Sequence, residues 1–161
     1  MVVATGLGGW LLFLHVFGAA LLVAGAVAAG AGQIAALQRT RPSEIAAMLR
    51  VARSGVAFVG VGSLAALGFG LWLVTYDNYG FGHAWIQAAI ALWVLSMAAG
   101  GAGGRSARHA RERAEQLAAA GDEPDEELSA LVSHRPSLLL SYLSSAAVLA
   151  ILVLMVWKPG G

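Results

Sequence analysis

The chain has 161 residues, 58% of them hydrophobic and only 12% charged, with a mean hydropathy of +0.73. A soluble chain carries about 25% charged residues, so this one has too little charge to cover a water-facing globule. The net charge of +1 carries little by itself, because the placement of the cations matters more than their sum, while the absence of cysteine excludes disulfides, iron–sulfur clusters and thiolate metal sites.

Four apolar runs, 7–31, 54–75, 84–100 and 138–157, dominate the chain. A run of about 20 apolar residues matches a hydrocarbon core of about 30 Å when helical. Lipid offers the backbone no hydrogen bonds, so such segments satisfy their own as helices. The expected fold is all-α: an integral membrane four-transmembrane-helix bundle forming a single domain over residues 1–161. The excess of alanine, glycine and arginine resembles a high-GC bacterial genome and points to a bacterial inner (cytoplasmic) membrane.

The first run is read as a retained helix. Residues 1–9 hold no Lys or Arg, and the run is too long for a secretory signal despite the small residues at 26–32. It carries His15, about 8 Å deeper than Trp10 at the helical rise, and small residues including Gly18, Gly25 and Gly32. The connection 37–53 holds Arg39, Arg41, Arg50 and Arg53, expected to meet anionic headgroups. Within it, Ser43 is positioned to cap a helix that Glu44 opens and that continues into the second run.

The spacings Gly18-x6-Gly25 in the first run and Gly55-x4-Gly60 in the second suggest small-residue contact faces, the usual way helices meet in lipid. Residues 76–83 carry Tyr76, Tyr79 and His83 and no cation. The third run contains Gln87, Trp93 and Ser96, and the glycine-rich stretch 100–104 is expected to loosen its exit. Residues 105–136 then form a helical hairpin. A charged helix at 105–120 pairs Arg108 with Glu112 and Arg111 with Glu115; Gly121 closes it, an acidic turn surrounds Pro124, and a short helix covers 125–133. This hairpin is either a solvated element or a docking surface for a partner. The fourth run places Ser141, Ser144 and Ser145 where another helix would meet them, and Met155 near its far end.

Nine of the ten cations fall in the first and third connections, and only Lys158 lies on the other side. The positive-inside rule therefore puts both termini outside and the 105–136 hairpin in the cytoplasm. Trp10, Trp72, Tyr76, Tyr79, Trp85 and Trp157 cluster at the outer ends, where amphipathic rings favour the headgroup layer.

Polar groups inside a membrane are costly and are functional suspects by default. His15 is the foremost. Its imidazole either hydrogen-bonds a serine, glutamine or backbone carbonyl across the bundle, ligates a haem or metal, or faces lipid. His83 stands about two turns shallower, which opposes bis-histidine ligation by this pair, and Met155 is an axial thioether or packing. Gln87, Trp93, Ser63 and Ser96 are candidates to line a pocket, and His109 and His134 are expected to be solvated. No Asp, Glu, Lys or Arg lies within a span, which disfavours an ion-driven transporter, and no nucleophile triad, P-loop or dinucleotide fingerprint is present.

Three segments carry a family resemblance: Leu-His-Val-Phe-Gly-Ala-Ala-Leu-Leu-Val-Ala-Gly (14–25), Arg-Ser-Gly…Gly-Phe-Gly-Leu-Trp-Leu-Val (53–74) and Leu-Met-Val-Trp-Lys-Pro-Gly (154–160). The chain resembles the predicted integral membrane family called domain of unknown function 2269. That family is similar in layout to the copper-resistance D domain and the HemJ-type protoporphyrinogen oxidases, where a first-helix histidine is implicated in binding haem. By position only His15 matches; the lysine and arginine of the oxidase pattern have no intramembrane counterpart, so that activity is not carried over. The expected role is a non-catalytic accessory or assembly bundle, self-associating or joined to a membrane-protein partner, in contact with the lipid bilayer and not with nucleic acid. The alternatives are a b-type haem protein ligated through His15 and, less favoured, a small-solute channel or carrier.

Overall fold

A computed structural model describes residues 6–76 and 82–157, so the expectations placed on Tyr79 and Lys158 lie outside the described residues. Five helices follow one another: α1 (Leu7–Leu37), α2 (Pro42–Tyr76), α3 (Ala84–Ala120), α4 (Glu126–Val132) and α5 (Arg135–Trp157). Among the described residues there is no strand, and four of the helical stretches are long and apolar enough to cross a membrane. Each long helix outruns its apolar run at the arginine-rich end, because a helix does not stop where its side chains turn polar. The 37 residues of α3 span about 55 Å, well beyond a hydrocarbon core of about 30 Å.

The glycine-rich stretch 100–104 does not loosen the third helix, which runs through it unbroken. A Cβ at Gly103 would lie 2.9 Å from Ser141 Oγ, and one at Gly100 would lie 3.1 Å from Ser144 Oγ. These glycines admit a neighbouring helix, α5, at close range.

The chain folds as antiparallel pairs, α1 with α2 and α3 with α5. On α1 the buried residues Leu11, Gly18, Gly25 and Gly32 recur every seven positions, close to two helical turns, and so share one face. A Cβ at Gly18 would sit 2.6 Å from the Ala66 amide nitrogen, and one at Gly25 would sit 2.6 Å from the Gly55 carbonyl oxygen. Gly55 and Gly62 answer from α2, with Cβ positions 2.5 Å from the Ala29 and Leu22 amide nitrogens. Backbone therefore lies on backbone along this pair, the contact that lipid-embedded helices favour. The working spacing on α2 is x6, from Gly55 to Gly62. Gly60, expected to share that face, has open space where its side chain would be.

The α3–α5 pair uses the same period with small polar residues. Ala89, Ser96, Gly103 and Ala110 are buried on α3. Ser144 Oγ donates to the Ser96 carbonyl at 3.0 Å, the two serine hydroxyls lie 3.0 Å apart, and Ser137 Oγ donates to the Gly103 carbonyl at 2.9 Å.

At the arginine-rich end a water-type core ties the pairs together. Ala36, Ile45, Ala46 and Leu49 pack with Ala110, Ala114, Leu128 and Val132. The start of α2 differs from the expected Ser43 cap. Pro42 occupies the first turn, where its missing N–H costs nothing, and Ser43 becomes a donor. Its amide and its hydroxyl each donate to the Asp122 carboxylate at 2.7 Å. Asp122 reaches this position from a turn in which Gly121 has φ 139° and Asp122 φ 60°, so a carboxylate from beyond α3 caps α2. Asp125 caps α4 by accepting from the Leu128 amide at 2.7 Å.

A histidine in a membrane cavity

The two pairs enclose a space toward the aromatic-rich end. Between them lies a cavity of about 870 Å³, walled by α1, α2, α3 and α5. Ligand pockets run from about 300 to 1,000 Å³, so this one has the capacity for a large ligand. Its lining is mainly aliphatic and aromatic, includes no Asp, Glu, Lys or Arg, and extends from Gly6, Tyr76 and Trp85 at the mouth to Ser96 and Val148 at the floor.

His15 lines this cavity from α1. Its Nδ1 lies 2.7 Å from the Ala66 carbonyl oxygen on α2. A carbonyl oxygen only accepts, so Nδ1 carries the proton, and in the neutral ring the lone pair is on Nε2. Nε2 has no hydrogen-bond partner among the described residues, and it is not sealed in the interior. The backbone-carbonyl bond expected of a structural histidine is thus present, yet it occupies only one nitrogen. Gly70 makes the ring's position available: a Cβ there would fall 2.9 Å from both Cε1 and Nδ1 of His15. A glycine one helical turn beyond Ala66 is what lets the imidazole lie flat against α2.

On the α3 wall, Trp93 Nε1 donates to Ser63 Oγ at 3.3 Å, and Ser63 Oγ in turn points its hydroxyl at Met97 Sδ at 3.7 Å. Ser63 is almost fully buried. This chain satisfies the polar atoms of the wall internally and leaves an apolar surface facing the cavity.

The expected site residues separate into two groups. His15, Trp93, Ser63, Ser96 and Met155 all line the cavity. Gln87 is exposed and stands outside the lining, and His83 is the half-buried residue preceding α3, also outside it. Met155 lies two residues from the end of α5 whereas His15 lies eight residues into α1, a depth difference of about 9 Å at the helical rise. The two are therefore at different levels. Met97 and Gly70 were not singled out by sequence reasoning. A methionine in an apolar span has no distinctive pattern, and Gly70 becomes meaningful only beside the ring it accommodates. Among the described residues no group of three or more His, Asp and Glu stands close enough to hold a metal ion.

No curated protein and no solved structure matches the chain. A family model does match, over residues 10–159, which takes in α2, α3 and α5 entire and α1 from Trp10 onward. The chain belongs to the predicted integral membrane protein family DUF2269.

Proposed function

We propose that this protein binds haem b in its membrane cavity, where His15 Nε2 would hold the iron. The observation that carries the reading is the division of labour on one imidazole. Nδ1–H is committed to the Ala66 carbonyl, and Nε2 is left with its lone pair beside a cavity of about 870 Å³. Ligating histidines characteristically donate their other N–H to a carbonyl or carboxylate, which fixes the ring and raises its basicity. The donor set suits haem better than a bare ion, because one imidazole among apolar walls offers a metal a single bond while the walls complement a macrocycle. When bound, the group would supply one-electron redox or ligand-binding chemistry tuned by the histidine that holds it. The chain's own residues hold the ring, exclude water and keep ionic side chains out of the lining.

Purified in mild detergent and supplied with haem, the protein is expected to show a Soret band that is lost in His15→Ala. A protein that remains colourless after haem addition overturns the reading. The glycine faces that favour a self-associating accessory bundle support it less once placed, because Gly18, Gly25, Gly32, Gly55 and Gly62 are filled by the chain's own helices. The orientation we propose has the arginine-rich end in the cytoplasm, on the nine-to-one distribution of cations.

A further inference from the structure

We propose that the cavity is loaded sideways, from the hydrocarbon of the bilayer, through a slot between α1 and α5. This rests on the reading of His15 as the ligand of haem, whose macrocycle is apolar and whose two propionates are ionic, and adds the route by which that macrocycle arrives.

The long helices pack in the order α1, α2, α3, α5: α1 on α2, α2 on α3 and α3 on α5. All four line the cavity. Three of its seams are therefore closed by helix contact, while α1 and α5, the ends of the row, touch at most marginally. Exposure of the lining is uneven along the open seam. Toward the aromatic-rich end Leu12 and Val16 on α1 are 53% and 56% exposed, whereas deeper in the cavity Leu22 on α1 and Val148 on α5 are buried, as are Ser63 on α2 and Ser96 on α3. The opening between α1 and α5 therefore lies in the half of the bundle that holds Leu12 and Val16.

The slot's edges are aliphatic, so water and ions gain nothing by crossing them, while an apolar solute dissolved in lipid meets continuous apolar surface. Val16 lies about 14 Å along α1 from its start, a depth within the hydrocarbon for a helix that begins near the interface. His15 lines the cavity at the same level of α1 as Val16, with its ring turned toward α2. The competing route is the mouth at Gly6, Tyr76 and Trp85, which opens at the aromatic-rich end.

The absence of cysteine makes the route testable with introduced thiols. In proteoliposomes, the double variant Val16→Cys/Leu152→Cys is bridged across the slot by a flexible bis-maleimide, and haem transfer from haem-loaded liposomes is followed by absorbance. Bridging is expected to slow uptake by about tenfold or more relative to the same double variant left unbridged. Equal uptake rates in bridged and unbridged protein overturn the slot. A second arm needs no haem: with Trp93 as the sole tryptophan, lipids brominated at mid-chain are expected to quench its fluorescence, and bridging is expected to relieve that quenching. Quenching that is absent, or that bridging leaves unchanged, also overturns the slot. A protein that takes up no haem in any form ends the His15 reading, and the quenching arm then decides the route by itself.

Discussion

At the scale of single residues, the proposed site depends on an imidazole whose Nδ1 meets a backbone carbonyl. The Ala66 carbonyl cannot be removed by substitution, but the ring's seat can be disturbed. Gly70→Ala puts a methyl 2.9 Å from Cε1 and Nδ1, a distance at which the ring must shift and its bond to Ala66 must lengthen. We expect Gly70→Ala to weaken haem binding by about tenfold, in the range typical of losing a supporting interaction behind a ligand, with the helical circular-dichroism spectrum unchanged. Affinity equal to that of the unaltered protein would show that the ring does not need this seat. His15 itself was legible in the sequence, because a titratable side chain in an apolar run is rare and costly. Its tautomer was not, since the partner lies 51 residues away and is a carbonyl that every residue possesses. Gln87 looked equivalent to Trp93 in sequence, and only the rotation of α3 separates them: Trp93 lines the cavity and Gln87 does not.

At the scale of elements, the glycine positions divide sharply by what surrounds them. Gly62→Ala would place a methyl 2.5 Å from the Leu22 amide nitrogen, backbone that cannot move without parting α1 from α2, whereas Gly60→Ala meets nothing within 4 Å. We expect Gly62→Ala to destabilise the folded protein by about 1–3 kcal/mol, the usual cost of overpacking, and Gly60→Ala to be close to neutral, both read from thermal unfolding in one detergent. Equal effects at the two positions would refute the backbone-on-backbone contact. The spans and the seven-residue spacing of Gly18 and Gly25 were legible because hydropathy and helical period are local properties. Which of the second helix's many glycines faces α1 was not legible, because a stripe acquires meaning only from the phase of its partner. The unbroken course of α3 through 100–104 was hidden for a similar reason. Glycine weakens an isolated helix, and the serines of α5 that offset this lie more than thirty residues further on.

At the scale of the whole molecule, the two helix pairs are tied together at the arginine-rich end and enclose the cavity toward the other. Ser43 and Asp122, 79 residues apart, form one of these fastenings, which no local pattern could reveal. The hydroxyl and amide of Ser43 hold the Asp122 carboxyl below its ordinary value of 3.8. A carboxyl whose folded pKa is depressed contributes stability above its unfolded pKa and loses it as pH falls through the folded one. Thermal stability should accordingly decline below about pH 4, and the decline should be shallower in Asp122→Asn. An identical pH profile in that variant would remove Asp122 from the fastening. Orientation is tested by labelling intact cells with a membrane-impermeant maleimide: Glu123→Cys at the arginine-rich end is expected to stay unlabelled and Gly6→Cys to react. The reverse pattern would invert the topology.

Chemical rescue tests the central claim most directly, because it asks whether Nε2 of this one side chain is what the cavity offers. In His15→Gly the haem absorption band of the purified protein should disappear and should return on addition of free imidazole, which can occupy the vacated volume and present the same nitrogen. A band that survives the substitution unchanged, or unaltered protein that never acquires one, would contradict it.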